Sequence, residues 1–276
     1  MRRKMNLSEM TMAASTWAAA MVTVGTLIFI VGFILVRGVP HVKASLFSLT
    51  YNSENVSLMP AMISTVIMTL LSLLTAAPLG IFAAIFLVEY AKSGSRTVGI
   101  IRMTTETLSG IPSIVYGLFG LLFFVTFLGW GFSVLAGAFT LAIMILPLIM
   151  RSSEEALKAV PDTYREGAFG LGAGKLRTVF RIILPSAMPG ILAGIILSIG
   201  RIVGETAALI YTAGTVAQIP ADPMQSARTL SVHMYALSSE GLYTNEGYAT
   251  AVVLLLVVVL INTLSAKIAK RIGRMA

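Results

Sequence analysis

Residues 107–150 read TLSGIPSIVYGLFGLLFFVTFLGWGFSVLAGAFTLAIMILPLIM and contain no charged side chain. A helix needs about 20 apolar residues to cross the hydrocarbon core of a bilayer, so this run is too long for one crossing. Gly129-Trp130-Gly131 offers a turn in its middle. Pro112 and Pro147 lie within the expected helices, where each removes a backbone hydrogen bond and favours a kink. The run therefore predicts two membrane-spanning helices joined by a tight turn.

Four further apolar stretches extend this prediction to the whole chain. One crossing is expected within Met10–Val36, one over about Pro60–Val88, one within Ile182–Thr212 starting near Met188, and one over Ala249–Ala266. The sequence thus predicts an all-α integral membrane protein with six transmembrane helices. Because no polar segment is long enough to build a core of its own, residues 1–276 are expected to form a single transmembrane domain.

The composition agrees with a membrane location. Of the 276 residues, 57% are hydrophobic and 12% are charged, whereas about 25% of the residues in a soluble domain are charged. Cysteine is absent, which excludes disulfides, thiolate metal sites and cysteine nucleophiles. His41 and His233 are expected on the surface of outer loops, without clustered metal ligands. With no hydrolase or metalloprotease motif present, we expect neither catalytic residues nor a metal site.

The basic residues predict the orientation in the membrane, because lysine and arginine are retained on the cytoplasmic face during insertion. With the N-terminus inside, the four inner segments carry three, three, six and four basic residues, which is 16 of the 20 in the chain. Both termini are therefore expected in the cytoplasm. The net charge of +8 then reflects inner loops that face anionic membrane lipid, and nucleic acid is not expected as a partner.

The longest inner loop, residues 151–185, lies between the fourth and fifth predicted spans. Asp162 or Thr163 is expected to cap a short helix that Gly170 and Gly172 end. A second amphipathic piece is expected to follow over Lys175–Ile183. Such a loop either rests on lipid headgroups or serves as a lever for another protein.

A motif in this loop resembles the coupling motif of ABC-importer permeases. Glu166-Gly167-Ala168, Gly172, Ile182 and Leu184-Pro185 match the pattern Glu-Ala-Ala, three residues, Gly, nine residues, Ile, one residue, Leu-Pro. The one departure is Gly167 in place of alanine, which would weaken that helical turn by up to ~1 kcal/mol. The resemblance implies a cytoplasmic coupling helix that fits a cleft on a partner ATPase. The residues it assigns to coupling are Arg165, Glu166, Gly167, Ala168, Gly172, Leu184 and Pro185.

The fifth predicted span contains two charged residues, Arg201 and Glu205, four positions apart and therefore expected on one helical face. A charge at bilayer depth costs at least ~2.5–3.5 kcal/mol on insertion scales, so it normally faces the bundle interior or an aqueous path. The guanidinium fits carboxylate or phosphate oxygens and stays protonated at any accessible pH. Glu205 would neutralise Arg201 when the path is empty. The alternative is a structural ion pair between helices.

Three segments around this pair resemble the permeases of phosphate ABC importers: residues 109–117, 198–214 and 230–235. The resemblance implies a permease subunit of a phosphate importer in a prokaryotic inner membrane. Its implied partners are a second related permease chain, an ATPase dimer and an external phosphate-binding protein. No cofactor is expected on this chain, whereas ATP and magnesium are expected on the ATPase. The implied substrate path contains Arg201, Glu205 and Thr206.

Other functions stay open at this point. An ABC permease for molybdate, sulfate or an amino acid would keep the loop around Glu166 and differ around Arg201. A passive anion channel or a membrane-embedded enzyme would have no use for that loop.

Overall fold

The computed structural model describes residues 7–92 and 94–273, and every regular element in those ranges is helical. The termini, on which the orientation prediction partly rests, lie outside the described residues. The all-α prediction is confirmed. The helices are α1 (Leu7–Gly38), α2 (Met59–Tyr90), α3 (Arg96–Ser109), α4 (Ser113–Phe127), α5 (Val134–Lys158), α6 (Asp162–Gly170), α7 (Lys175–Gly204), α8 (Ala207–Ile210), α9 (Leu230–Glu240) and α10 (Thr244–Gly273).

Five of these helices are long and apolar enough to cross a membrane, namely α1, α2, α5, α7 and α10. Together, α3 and α4 form a sixth candidate crossing, either a broken span or a re-entrant loop, and the two are bent by 99° relative to each other. The bend lies at Pro112, which has no N–H to continue a helix, and the Tyr116 hydroxyl donates to the Leu108 carbonyl across it at 2.7 Å. The structure thus has five to six candidate crossings. The third predicted span corresponds to α4 alone, because the chain bends at Pro112 and the charged helix α3 lies mostly before the charge-free run. The predicted turn is also present, with φ of +69° at Gly129 and +65° at Gly131.

The central helix is α5, which packs against both α2 and α7. Lipid tails are as apolar as leucine, so helices in a membrane associate through close contact of small residues rather than through the hydrophobic effect. A Cβ atom built on Gly80 of α2 would lie 2.9 Å from Ile149 Cγ2, and one built on Gly194 of α7 would lie 2.3 Å from Ser152 Cβ. The core around α5 includes Met68, Leu141, Ile145, Ile149, Ile202 and Leu209.

The fifth crossing is longer than the sequence predicts. It does not start near Met188, because one helix runs from Lys175 to Gly204. The predicted amphipathic piece Lys175–Ile183 is therefore the first part of α7, not a separate helix. Its turn at Val179–Ile183 has π geometry, next to Pro185, which has no N–H to offer the preceding turn. The helix that crosses the membrane thus extends to the loop after α6.

One end of α1 is attached to the rest of the bundle. The described side chains of α1 are exposed as far as Val31, and Gly38 is buried. A Cβ atom on Gly38 would lie 2.3 Å from the carbonyl oxygen of Tyr248 in α10. The rings of Phe33 and Tyr248 meet edge to face at 5.8 Å. The attachment of α1 therefore depends on the absence of a side chain at Gly38.

We expect Gly38→Ala to lower the free energy of unfolding by about 1–3 kcal/mol, because the new methyl group would overlap a backbone carbonyl. Gly32→Ala is the matched control on the same helix, since nothing lies within 4 Å of its Cβ position. Thermal unfolding of the purified chain in detergent measures both. Equal midpoints for the two variants would contradict the close approach of α1 to α10.

Candidate functional site

The loop with the coupling motif forms α6 and a glycine turn. Pro161 occupies the N-cap position, so the prediction that Asp162 or Thr163 caps the helix is wrong. Asp162 instead lies in the first turn, where a carboxylate favours the positive end of the helix dipole. After the helix, Gly172 has a φ of +81°, a conformation that favours glycine. This geometry explains the glycine of the motif.

Arg165 joins α6 to two membrane helices. Its Nη2 and Nε donate to Glu89 Oε1 of α2 at 2.7 and 3.1 Å. It also donates to the carbonyls of Leu157, in α5, and Val160 at 3.1 and 2.9 Å. The side chains of Arg165 and Glu89 are only 15% and 8% exposed, so this pair is far less screened than a surface ion pair. One guanidinium therefore fixes α6 to the ends of α2 and α5.

The other motif residues lie on two sides of α6. Ala168 is buried against the bundle, whereas Glu166 and Gly167 are exposed. Nothing lies within 4 Å of a Cβ position at Gly167, so the alanine of the family pattern would fit there. Leu184 and Pro185 are half-buried in α7. The exposed surface of α6 and its turn also carries three large side chains, Tyr164, Phe169 and Leu171.

A second ion-pair cluster connects α3 to α5. Glu154 of α5 is 7% exposed, and its Oε1 lies 2.7 Å from Arg102 Nε and 2.7 Å from Lys158 Nζ. Arg102 and Lys158 are each about half-exposed. The sequence analysis does not identify this acid, because nothing in its local pattern separates it from the neighbouring exposed Glu155. The cluster attaches α3, the first helix of the bent pair, to the central helix.

The second candidate region is the break between α7 and α8. The helix ends at Gly204 and Glu205 is extended, with φ −73° and ψ 128°. The prediction that Arg201 and Glu205 share one helical face is therefore wrong. The Glu205 carboxylate accepts the Ala208 N–H at 3.1 Å, and its backbone carbonyl accepts the Ser231 hydroxyl at 2.6 Å. Glu205 thus stabilises the break instead of pairing with Arg201.

Arg201 lies beside this break and lines an open groove of about 590 Å³. The side chain is half-buried, and it forms no hydrogen bond or ion pair with any residue in the two described ranges. Thr206, also half-buried, follows Glu205 in the break. A guanidinium without a counter-charge in a spanning helix attracts an anion. The groove is lined by Leu148, Ala193, Ile196, Leu197, Gly200, Arg201 and Asn262.

Asn262 is a groove residue that the sequence analysis does not single out. It is the only amide side chain in the predicted last span, Ala249–Ala266. That polar residue in an apolar segment is a signal in the sequence. Its neighbours, however, could not be read from the sequence, because they depend on how α10 packs against α7.

The two histidines have different environments. His233 in α9 is fully buried, so its predicted surface position is wrong, while His41 is half-exposed. The His233 ring packs edge to face on the Tyr51 ring, with 6.1 Å between the ring centres. The Arg228 guanidinium lies over the Tyr51 ring, 4.7 Å from its centre. Burial, followed by the positive charge of Arg228, lowers the pKa of His233 to about 3. His233 is therefore neutral at physiological pH, and its contact with Tyr51 joins α9 to the segment between α1 and α2. In the described ranges, no three His, Asp or Glu side chains gather as metal ligands.

Comparison with known families gives one extended match. A family model described as "Binding-protein-dependent transport system inner membrane component" matches residues 76–274. A Bacillus subtilis protein named "Probable ABC transporter permease protein YqgI" is 36% identical over 206 residues, which cover 68% of this chain and 70% of that protein. A Mycobacterium tuberculosis protein named "Phosphate transport system permease protein PstA 1" is 35% identical over 211 residues, which cover 75% and 69%.

Two solved structures have a similar fold. A bacterial ABC transporter for the import of alginate matches with a TM-score of 0.65 and 16% identity, over 96% of this chain and 98% of the other. The inward-facing MetNI methionine ABC transporter matches with a TM-score of 0.58 and 20% identity, over 87% and 96%. At these identities the likeness concerns the fold alone.

The two acids that contact Arg165 provide a test of its role in positioning α6. We expect Glu89→Gln to destabilise the docked position of α6 by about 3 kcal/mol, because it removes the buried counter-charge of Arg165 and leaves the exposed Asp162 carboxylate beside it. Asp162→Asn removes a partner that is 87% exposed and is expected to change stability by less than about 1 kcal/mol. Hydrogen–deuterium exchange of the α6 amides measures both effects. Equal exchange in the two variants would show that the buried pair does not hold α6.

Proposed function

Because the chain belongs to the family of binding-protein-dependent transport system inner membrane components, we propose that it is the permease subunit of an ATP-driven phosphate importer. As a member of this family, the chain is an ABC-importer permease and a multi-pass protein of the inner membrane. It is not an enzyme, since the ATPase of such a transporter is a separate subunit. The proposal concerns the substrate, the path and the specific partners.

We infer the class of substrate, an anion, from the environment of Arg201. Its guanidinium lines the groove without a partner among the described residues, and Glu205 is engaged in capping α8. The positive site is therefore not neutralised when the path is empty. The planar donors of arginine match two phosphate oxygens at once. The name of the Mycobacterium tuberculosis relative supports phosphate as this anion.

The substrate path follows from the break after α7. Arg201 binds the anion, and Glu205 and Thr206 form the extended segment next to it. Because Glu205 fixes this segment through Ala208 and Ser231, its role in the path is to position Arg201. A second, related permease chain covers the open side of the groove. An external phosphate-binding protein delivers phosphate at the α9 end of the bundle.

The α6 end of the bundle couples transport to ATP hydrolysis. It faces the cytoplasm, together with both termini, and the exposed surface around Glu166 and Gly167 enters a cleft on the ATPase dimer. Ala168 and Arg165 hold α6 to the bundle, so movement of the ATPase is passed to the membrane helices. Gly172, Leu184 and Pro185 connect α6 to α7. ATP and magnesium bind the ATPase, and this chain takes no part in a covalent step.

We expect Arg201→Gln to abolish phosphate uptake with assembly intact, because glutamine keeps a polar side chain and removes the positive charge. The measurement is ATP-dependent uptake of radiolabelled phosphate into vesicles that contain the complete complex, with sulfate and molybdate as competitors. Arg37→Gln is the control, since Arg37 is exposed on α1 and its loss changes the net charge equally. Uptake retained in Arg201→Gln would rule out Arg201 as the anion site. Inhibition of wild-type uptake by sulfate or molybdate would redirect the substrate assignment.

We expect Glu166→Lys to uncouple ATP hydrolysis from transport, because it reverses the charge on the exposed surface of α6 without touching the bundle. Gly167→Ala is the matched control at the next position, where a methyl group fits and increases helix stability by up to ~1 kcal/mol. The ratio of phosphate transported to ATP hydrolysed measures coupling. A normal ratio in Glu166→Lys would remove Glu166 from the coupling surface.

A further inference from the structure

A second polar side chain lines the groove of Arg201 from a different helix. Asn262 of α10 is half-buried, and its Oδ1 lies 3.9 Å from the position of a Cβ atom built on Gly200. Gly200 directly precedes Arg201, and all three residues line the same groove. The missing side chain at Gly200 leaves the amide next to the backbone that carries the arginine.

The Asn262 amide has no hydrogen-bond partner among residues 7–92 and 94–273. Its neighbour Thr263 differs, because its hydroxyl donates to the Val259 carbonyl of its own helix at 2.7 Å. A side-chain amide offers two N–H donors and one acceptor, and unpaired donors in a membrane segment are costly. Two unpaired donor groups, Arg201 and Asn262, therefore share one groove.

The groove lies on the open side of α7. The exposed residues Ala193, Leu197 and Gly204 follow one another at helical spacing along that side. A charge on this side cannot face lipid without a large free-energy cost. The groove therefore faces water or protein in the assembled transporter, and Asn262 has the same access to the transported anion as Arg201.

We propose that Asn262 is a second anion-binding residue of the path, which donates its amide N–H groups to an oxygen of the tetrahedral oxyanion held by Arg201. This inference rests on the proposed function. Arg201 supplies charge and two parallel donors, and Asn262 supplies neutral donors from the adjacent helix α10. Neutral donors suit a phosphate that must also leave the site, because they add contacts without adding a second positive charge.

The first test compares Asn262→Leu with Thr263→Leu in the complete complex, at saturating amounts of the external binding protein loaded with phosphate. We expect Asn262→Leu to lower the phosphate transported per ATP about tenfold, the effect of losing a hydrogen bond to a charged group. ATP hydrolysis stimulated by the binding protein is expected to remain at the wild-type rate. Thr263→Leu changes an exposed position outside the groove and is expected to transport normally.

The second test exchanges the two side chains, because a merely structural role for Asn262 would not survive the exchange. We expect Arg201→Asn alone to be inactive and Arg201→Asn with Asn262→Arg to regain at least a tenth of wild-type uptake. The double variant returns the guanidinium to the same groove from α10. Arsenate, a tetrahedral oxyanion of similar size, is expected to compete with phosphate in the wild type and in the double variant.

The outcomes separate this inference from the proposed function. Wild-type uptake of phosphate together with normal transport by Asn262→Leu would overturn the role of Asn262 and leave the importer assignment in place. Failure of the exchange to exceed Arg201→Asn would also overturn that role. A wild-type complex that hydrolyses ATP without phosphate uptake would overturn the proposed function, and this inference with it.

Discussion

Close contact between helix backbones at glycine is the constraint on which this bundle depends. Apolar side chains gain little by leaving lipid for another helix, so packing must come from contact distance. Gly80 and Gly194 bring α2 and α7 against the same turn of α5, at Ile149 and Ser152. Gly117 brings α4 against the backbone of Ala208 in α8. These contacts fix α7 and the break behind it. Arg201 therefore owes its position in the groove to three residues without a side chain, Gly80, Gly117 and Gly194.

A single helix connects the two functional regions. From Lys175 to Arg201, α7 is one continuous helix of 27 residues, and the 26 rises between its ends give a distance of about 39 Å at ~1.5 Å per residue. Its first turns adjoin the loop after α6, and α6 itself is held to α2 and α5 by Arg165. A rigid element of this kind passes displacement along its length with little loss, whereas the extended backbone at Glu205 lets α8 keep its own position. The architecture thus separates the end of α7 that adjoins α6 from α8, which packs against α4.

The sequence is sufficient to predict where most of the spans lie, because charge-free runs of the right length have few alternatives in a membrane. It also predicts the short helix and the glycines that end it, because glycine readily adopts the positive φ that Gly172 has here. It does not predict the start of α7 or the 99° bend between α3 and α4. The end of α7 could not be predicted, because it depends on a contact with Ser231, 26 residues away. The burial of His233 and the approach of Asn262 to Gly200 likewise depend on the packing of α9 and α10. The ATPase-coupling role of Glu166 and the substrate role of Arg201 stay predictions.

The attachment of α1 by one end has a consequence for biosynthesis. Its principal contact within the bundle is α10, which is synthesised after α2 to α9, so α1 finds this docking partner only when those helices have already left the ribosome. During that interval α1 must remain in the bilayer by its own partitioning free energy. The chain agrees with this requirement, since α1 is the most apolar of the five straight spans, whereas α5, two-thirds buried among its neighbours, is among the least. The order of synthesis is thereby reflected in how hydrophobic each span has to be.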